Sequence, residues 1–455
     1  MNPIQIVDLL KILNAKLEQP GKMKAVRHIS IDSRAVKKGD LFIAIRGEQF
    51  DGHDFVKQAV ENGAAGILIS RRVDTLSSAI TVIRVKEDTT RALGKIAAFY
   101  RQQFKIPVIA VTGSAGKTTT KELLAQVLST KYRVLKNYKS YNNFWGVPLT
   151  LLNLSAKHDA AVIEVGTNHP GEIAYLTNIV RPTVAVLTNV GLAHLQGFKN
   201  LESVFKEKRS LLQGLSRDGV VIFNRDDQCL KRLSRLKRRA VSFGRTKGAG
   251  VMADDIRLDQ RGDVHFCVNR RHVMMMKTPV MENVLNGLAA VACARLFGIP
   301  FSKIRVGLRR AKFQQSRQQI ERFHGYTVIN DSYNANPVSF RSALNTLQNF
   351  PTKGRRIVVC GDMLELGKRS KALHREIGVL IGRSSKIDGV YSFGLLAGCI
   401  AHQAKKIRAQ IDMKQYREIT ALQRDLKRIL VKGDVVLIKG SRGMRMERVT
   451  DFLRS

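Results

Sequence analysis

Residues 112–119, TGSAGKTT, have the residue types that bind nucleotide phosphates. Gly113 and Gly116 let the backbone turn closely enough to aim several N–H groups at an anion, and a helix beginning there adds its positive end. Lys117 would reach the terminal phosphates, and the Thr118 hydroxyl would bind a magnesium ion that bridges them. A valine stands where the usual eight-residue pattern has its first glycine, so we predict a shortened phosphate loop that binds ATP. The predicted nucleotide-binding residues of this loop are Gly113, Ser114, Ala115, Gly116, Lys117, Thr118 and Thr119.

A strand and a helix must position this loop. Residues 108–111 form a β-branched run typical of a buried parallel strand, and residues 117–128 carry apolar side chains at helical spacing. The strand, the Gly-Lys-Thr turn and the helix follow one another in the order that a phosphate loop requires. An ordinary strand-to-helix turn that uses two glycines is the alternative, and this order disfavours it.

Further apolar runs predict that the same sheet continues beyond the loop. They alternate with helical patterns, which is typical of a parallel sheet, and function gathers at the carboxyl ends of the strands in such sheets. Glu164 and His194 lie at or just beyond two of these ends. Either residue alone would be interpreted as structural, but beside a phosphate loop Glu164 is expected to hold magnesium or its water. The predicted strands are residues 161–165, 184–189 and 220–224.

Two further α/β regions flank the central one. Residues 1–86 predict a small unit whose polar loops, at 31–34 and 50–53, could bind a ligand or serve only as turns. Beyond residue 315 strands and helices alternate again, which predicts a second open sheet. Two sheets with polar edges could close on a shared ligand. The predicted strands are residues 41–45 and 66–70 in the first region and 326–329, 357–360, 389–393 and 435–439 in the last.

Length and composition predict a folded protein of several domains. The chain has 455 residues, enough for two to four domains, and no apolar run approaches the roughly 18 residues that span a bilayer. Residues 1–20 lack the pattern of a signal peptide. We therefore expect a cytoplasmic protein without membrane insertion. The five cysteines form no close pair, which argues against a zinc site or a disulfide framework.

The formal charge of +40 suggests a polyanionic partner at first sight. The lysines and arginines are nevertheless spread over the whole chain, and the densest run, at residues 231–239, has no interleaved aromatic residues. A solvated face is therefore favoured over a nucleic-acid groove. We expect no specific nucleic-acid partner.

The chain resembles the Mur ligase family over nearly its whole length. YNANP at residues 333–337 and EVGTN at 164–168 are typical of the members that add D-alanyl-D-alanine. The other motifs that carry the resemblance are SIDSRAVKKGDLFIAIRGEQFDGHDF, TGSAGKTTTKE, NNFWGVPLTLL, TNVGLAHLQGF, GDMLELG and GDVVLIKGSRGMRME.

This resemblance implies an α/β fold of three domains. Residues 1–86 would form a small N-terminal α/β domain that binds the UDP-substrate. Residues 87–314 would form a central P-loop ATPase-like parallel-sheet domain that binds ATP. Residues 315–455 would form a C-terminal Rossmann-like domain that completes the nucleotide and amino-substrate site.

The implied activity is that of an ATP-dependent amide ligase of peptidoglycan precursor synthesis. Its substrates would be UDP-N-acetylmuramoyl-tripeptide and D-alanyl-D-alanine, and its cofactors ATP and Mg²⁺. The γ-phosphate would convert a peptide carboxylate into an acyl phosphate, which the incoming amine attacks. This chemistry suits the residues, because a carboxylate needs a good leaving group and the anions need metal and cationic screening.

The resemblance also assigns roles to individual residues. Lys208 matches a lysine that is carbamylated in relatives and holds the second metal, and Asn143 lies in a segment that assists there. The implied catalytic residues are Lys117, Lys208, His194 and Arg317. The implied metal ligands are Thr118, Glu164, His194 and Lys208. The implied nucleotide contacts outside the loop are Asn283, Asn286, Arg317 and Asp331. The implied substrate contacts are Ser33, Arg34, Asp51, His53, Tyr333, Asn334 and Asn336.

Several positions depart from the family pattern. Phe144 stands where the family usually has an acidic residue, and Glu282 stands where it has histidine. Lys208 is followed by Arg209 and Ser210 instead of Gly-Glu, so a carbamylated and a plain lysine both stay open at position 208.

Other functions remain as alternatives. Within the superfamily these are the ligase that adds the third amino acid and a folate polyglutamate ligase, and the YNANP segment argues against both. From another class, the positive charge would suit a nucleic-acid-stimulated ATPase or a binding protein. The third peptide residue, lysine or diaminopimelate, stays open, and we expect a monomer.

Overall fold

A computed structural model describes residues 1–47, 50–74, 76–191, 198, 200–259, 262–313 and 318–455. Within these ranges the chain forms an N-terminal, a central and a C-terminal sheet, each packed with helices. The predicted α/β fold is confirmed. No helix in these ranges is long and apolar enough to cross a membrane.

The N-terminal sheet is five-stranded in the described residues and has the order β2-β7-β6-β5-β4. All neighbours are parallel except β2, which runs antiparallel to β7. A two-stranded antiparallel pair, β1 and β3, lies beside it. The elements are β1 (Ile4–Gln5), α1 (Ile6–Leu13), β2 (Lys16–Gln19), β3 (Ala25–Val26), β4 (Ile29–Ser30), β5 (Leu41–Ile43), α2 (Val56–Glu61), β6 (Gly66–Ile69) and β7 (Thr81–Arg84).

The central sheet has nine strands in the described part of the chain, in the order β16-β15-β14-β13-β12-β11-β8-β10-β9. Its strands are parallel from β9 to β14, and β15 and β16 continue it as an antiparallel hairpin. The elements are α3 (Thr89–Gln102), β8 (Val108–Thr112), α4 (Lys117–Leu128), β9 (Val134–Lys136), α5 (Gly146–Leu151), β10 (Ala160–Glu164), α6 (Glu172–Val180), β11 (Val184–Leu187), α7 (Leu201–Arg209), β12 (Val220–Asn224), β13 (Ala240–Gly244), β14 (Val251–Leu258), β15 (Val264–Val268), β16 (His272–Met276), α8 (Asn283–Leu296) and α9 (Phe301–Arg310).

Strand β8 shows why the central strands are continuous apolar runs. Val108 and Ala110 pack into the core shared with α3 and α6, whereas Ile109 and Val111 pack into the core shared with α4 and α8. Successive side chains of a strand point to opposite faces, so a strand covered by helices on both faces must be apolar at every position. Burial on both faces also fixes the strand that leads into the phosphate loop.

The C-terminal sheet has six described strands in the order β17-β18-β22-β19-β20-β21, and all but β17 are parallel. The predicted strands 389–393 and 435–439 have the bounds that the structure gives. The elements are β17 (Gln319–Phe323), β18 (Tyr326–Asp331), α10 (Pro337–Asn349), β19 (Arg356–Gly361), α11 (Ser370–Arg383), β20 (Gly389–Phe393), α12 (Leu395–Ile407), β21 (Asp412–Tyr416), α13 (Ile419–Ile429), β22 (Val435–Lys439) and α14 (Glu447–Arg454).

Tyr100 on α3 ties the start of the chain to the central sheet. Its side chain is fully buried, and its hydroxyl donates a 2.7 Å hydrogen bond to the Leu154 carbonyl oxygen while accepting one from the Asn2 backbone N–H. We expect Tyr100→Phe to lower the free energy of unfolding by about 1 to 2 kcal/mol, because both backbone groups lose a partner. Urea unfolding measures this change. Tyr138→Phe, at an exposed tyrosine, should change stability by less than about 0.5 kcal/mol; equal effects would contradict this assignment.

Candidate active site

A cavity of about 680 Å³ lies between the central sheet and the C-terminal sheet. It is lined by the phosphate loop, by the ends of β10, β18 and β22, and by the first turns of α8 and α10. The cavity therefore brings residues together that lie more than 300 positions apart in the chain, from Ser114 to Lys439.

The residues that follow β11 hold the phosphate loop in shape. The Asn189 side chain accepts a 2.8 Å hydrogen bond from the Ala115 N–H, and the Thr188 hydroxyl donates one of 2.7 Å to the Ala115 carbonyl oxygen. The Lys117 ammonium bends over the loop and donates to the Gly113 carbonyl oxygen at 2.8 Å. Helix α4 begins at Lys117, so its first-turn N–H groups, which have no acceptor within the helix, lie at the cavity wall.

Both loop glycines are required by close contacts. A Cβ at Gly113 would lie 1.9 Å from the Thr188 hydroxyl oxygen, and one at Gly116 would lie 2.5 Å from the Asn286 side-chain oxygen. Gly116 also has a φ of 77°, in the left-handed region that side chains disfavour. The predicted turn therefore depends on both glycines for space, and on Gly116 also for its backbone conformation.

Glu164 ends β10 beside the loop, and its carboxylate is almost completely buried. One carboxylate oxygen, Oε1, accepts hydrogen bonds from the Thr118 hydroxyl at 3.1 Å and from the Asn142 side chain at 2.7 Å. The other, Oε2, has no hydrogen-bond partner among the described residues, and the buried ammonium of Lys121 lies 3.8 Å away.

Two adjacent asparagines near Glu164 have different partners. Asn143, the asparagine singled out from the sequence, uses its side-chain oxygen to accept hydrogen bonds from the Trp145 and Gly146 N–H groups at the start of α5. Its neighbour Asn142 contacts Glu164 instead. Asn142 and Asn143 are adjacent, but their side chains point in different directions and reach different partners. Neither Asn142 nor Lys121 was predicted from the sequence.

A chain of hydrogen bonds connects α8 to the phosphate-loop helix. The Thr120 hydroxyl on α4 donates to the Asn286 side-chain oxygen at 3.0 Å, and Asn286 in turn donates to Asn283 at 2.9 Å. Asn283 and Asn286 both line the cavity, as does the preceding residue Glu282. The structure thus places the two predicted asparagines next to the phosphate loop.

The C-terminal wall of the cavity contains a buried ion pair. Asp331 ends β18 and Lys439 ends β22, and the lysine ammonium lies 2.6 Å from the aspartate carboxylate. The same ammonium donates to the Asn334 carbonyl oxygen at 3.0 Å. Asp331 was predicted as a nucleotide contact, whereas Lys439 was recognised only as the end of the strand 435–439 and was given no role.

The predicted YNANP residues contribute to this wall in different ways. The Tyr333 hydroxyl crosses the cleft and donates to the Ser140 hydroxyl at 3.1 Å. Asn336 caps α10, because its side-chain oxygen accepts from the Ser339 N–H at 2.8 Å. Tyr333, Asn334 and Asn336 all line the cavity, where a substrate could reach them. Their contacts with substrate stay predictions.

Lys208 on α7 is 3% exposed and lies close enough to Lys117 for the two charges to interact. Burial first, and then the neighbouring ammonium of Lys117, holds the pKa of Lys208 well below its ordinary value. The adjacent Glu207 accepts hydrogen bonds from the Gly171 and Ile173 N–H groups at the start of α6. A lowered pKa favours the neutral amine, which is the form of lysine that can react with carbon dioxide, and the carbamate itself stays a prediction.

Four predicted substrate contacts lie in the N-terminal unit, and the residues that line the cavity do not include them. Ser33 donates to the Gln58 side chain at 2.6 Å, and Arg34 pairs with Asp32. Asp51 accepts from His53, whose other ring nitrogen accepts from the Ser70 N–H. Their role in binding the UDP-substrate stays a prediction. His194 and Arg317, predicted as catalytic residues, lie outside the described residues.

Comparisons with known proteins find similarity to Mur ligases along nearly the whole chain. Family models for the "Mur ligase family, catalytic domain", the "Mur ligase middle domain" and the "Mur ligase, glutamate ligase domain" match residues 25–101, 111–294 and 316–442. The UDP-N-acetylmuramoyl-tripeptide–D-alanyl-D-alanine ligase of Bacillus subtilis is 34% identical, with 98% of each chain covered.

Solved structures give the same result. A crystal structure of MurF from Acinetobacter baumannii matches with a TM-score of 0.90 and 31% identity, covering 100% of this chain and 99% of that one. MurF ligase from Thermotoga maritima, in complex with ADP, matches with a TM-score of 0.82 and 31% identity, covering 94% and 97%.

The three sheets and the phosphate loop define an ATP-binding α/β protein with its cleft between two domains. The chain belongs to the Mur ligase family, among the UDP-N-acetylmuramoyl-tripeptide–D-alanyl-D-alanine ligases. The predicted family and the predicted ligase of peptidoglycan precursor synthesis are confirmed.

The Asp331–Lys439 pair yields a prediction about stability. Lys439→Met should lower the free energy of unfolding by about 3 kcal/mol, because it leaves a buried carboxylate without this ammonium. Lys414→Met is the matched control, since Lys414 pairs with Asp425 at the surface, where such pairs contribute less than about 1 kcal/mol. Denaturant unfolding of both variants gives the comparison, and similar losses would show that burial does not strengthen the pair.

Proposed function

We propose that this cavity carries out the ATP-dependent joining of D-alanyl-D-alanine to UDP-N-acetylmuramoyl-tripeptide. The observation that carries the proposal is the convergence of a phosphate loop, a buried carboxylate and the YNANP segment on one cavity, in a chain of this family. The ADP bound to the Thermotoga relative supports ATP as the phosphoryl donor.

The reaction would proceed in two steps. The tripeptide carboxylate attacks the γ-phosphorus of ATP, which forms an acyl phosphate and releases ADP. The amine of D-alanyl-D-alanine then attacks the acyl carbon, an amide forms and phosphate leaves. The first-turn N–H groups of α4 and the Lys117 ammonium would neutralise the charge that develops on the phosphate oxygens.

Thr118 and Glu164 suit a magnesium ion. Magnesium prefers oxygen ligands and is usually bound by one or two carboxylates together with substrate phosphates. The Glu164 Oε2 atom, buried and without a hydrogen-bond partner, and the Thr118 hydroxyl beside Oε1 supply such oxygens. Among the described residues no group of three or more His, Cys, Asp or Glu could hold a metal. Nucleotide phosphates would complete the ligand set, as is usual for magnesium. The ion would screen charge between the two anionic substrates.

The other predicted site residues would bind the nucleoside, the metal, the phosphates and the UDP-substrate. Asn283, Asn286 and Asp331 would contact the nucleoside, and Lys208, as a carbamate or a plain amine, would support the metal together with His194. Arg317 would approach the phosphates from the C-terminal domain. Ser33, Arg34, Asp51 and His53 would bind the UDP-substrate, with residues 1–86, 87–314 and 315–455 as the three domains. We further propose a monomer in the cytoplasm without a specific nucleic-acid partner.

Mass spectrometry of the products tests the whole reaction. The purified chain, given ATP, Mg²⁺, UDP-muramyl-tripeptide and D-alanyl-D-alanine, should form the pentapeptide product only when all are present. Separate reactions with lysine and with diaminopimelate as the third peptide residue identify the substrate. ATP hydrolysis stimulated by DNA or RNA, without a ligated product, would favour the nucleic-acid-dependent ATPase instead.

Lys117→Ala should reduce kcat at least roughly a hundredfold, because a preorganised cation is lost at the transferring phosphoryl group. The fold should be retained, since the lysine lies at the cavity wall and not in a core. Lys157→Ala, at an exposed lysine, is the control and should leave kcat unchanged. A Lys117→Ala enzyme with near-normal turnover would remove this residue from the mechanism.

Lys208→Ala should also be inactive, and a carbamate at this position predicts partial rescue by added formate or acetate, which can occupy the vacated anionic site. Lys206→Ala, at an exposed position on the same helix, serves as the control. Initial rates with and without the added carboxylate give the result. Full activity of Lys208→Ala would reject the role, and inactivity without rescue would favour a plain lysine.

A further inference from the structure

Glu282 is a charged residue in the cavity that the proposed reaction does not use. It directly precedes α8, where its side chain makes no capping hydrogen bond, and it lines the cavity together with Asn283, Leu285 and Asn286. Its Oε1 atom accepts a 2.6 Å hydrogen bond from the Asn345 side chain on α10 of the C-terminal domain. Its carboxylate is thereby held in one orientation by the opposite wall of the cleft.

The other oxygen of this carboxylate, Oε2, is buried and has no hydrogen-bond partner among the described residues. A buried carboxylate oxygen without a donor is costly, so its position indicates that a ligand supplies one. A carboxylate accepts hydrogen bonds and donates none when ionised, which restricts the ligand group to an N–H or O–H donor.

The surroundings of Glu282 suit a nucleotide base. Val280 and Leu285 contribute apolar surface to the cavity beside it, and Asn286 connects this segment to Thr120 on the phosphate-loop helix. Ligand sites commonly combine apolar surface with a few polar groups that fix orientation. With the triphosphate held at the loop, the base of the same nucleotide can extend along α8 to Glu282.

We propose that Glu282 recognises the 6-amino group of adenine and thereby makes this chain selective for ATP. The amino group is the hydrogen-bond donor on the base of ATP, and Oε2 is the acceptor that lacks one. Asn345 acts as a positioning residue, because it orients the carboxylate from the C-terminal domain. This inference rests on the proposed function, in which ATP occupies the cavity.

A comparison of ATP with purine riboside triphosphate tests the proposal, because this analogue lacks only the 6-amino group. For the unaltered enzyme kcat/KM should fall roughly thirtyfold with the analogue, since Oε2 stays unpaired in its complex. In Glu282→Ala the kcat/KM values for the two nucleotides should differ by less than about threefold, because the variant lacks the carboxylate that accepts from the 6-amino group. Asp218→Ala, which removes an exposed carboxylate, should keep the full preference.

A binding measurement and a second variant separate the role of Glu282 from the ligase reaction and from folding. Calorimetric binding of ADP and purine riboside diphosphate measures the preference without turnover, so a failure of the ligase reaction is distinguished from a failure of Glu282 to read the base. Glu282→Gln, which preserves the shape, replaces Glu282→Ala if that variant does not fold, and it should show a reduced preference. Turnover and calorimetric binding should both show the preference for the base that carries the 6-amino group.

Several outcomes would overturn the proposal. One is an unaltered enzyme that uses and binds both nucleotides equally well. Another is a Glu282→Ala variant that keeps the full preference for ATP. A third is a raised KM for D-alanyl-D-alanine in Glu282→Ala with the nucleotide preference unchanged, which would assign the carboxylate to the ammonium of the dipeptide.

Discussion

Repulsion between anions is the constraint on which the structure depends, since the reaction brings a triphosphate and a carboxylate into contact. Parallel strands place all their carboxyl ends at one edge, and here two sheets direct those edges into the same cavity. Each edge carries a buried carboxylate beside a fully buried lysine, Glu164 with Lys121 and Asp331 with Lys439. The acidic groups that would hold metal and nucleoside are thus balanced before any substrate enters.

Two side-chain contacts cross the cleft between its central and C-terminal walls. Tyr333 reaches Ser140, and Asn345 reaches Glu282, so each wall orients a polar group of the other. Neither pair belongs to a hydrophobic core. Each contact therefore orients a polar side chain at the cavity without adding apolar packing between the two walls.

The sequence predicted the features that depend on local pattern. Strands β12, β20 and β22 and helix α4 have the predicted bounds, because burial on both faces makes a strand apolar throughout and a core-facing helix periodic. The hairpin β15–β16 was missed, although Val264, Phe266 and Val268 alternate with less buried residues. Asn142 and Lys121 were missed for a different reason, and so was the pairing of Lys439 with Asp331. Their partners lie far away in the chain, and pairing over such distances is set by packing that no local pattern records.

Thr118 and Glu164 are the proposed protein ligands of magnesium at the phosphate loop. A crystal structure grown with a non-hydrolysable ATP analogue and Mn²⁺ tests this assignment directly, because manganese scatters anomalously and replaces magnesium at oxygen ligands. We expect an anomalous peak at about 2.1 Å from both the Thr118 hydroxyl oxygen and a Glu164 carboxylate oxygen, or one bridged to Glu164 by a water. A manganese ion bound to the phosphates but remote from both residues would contradict it.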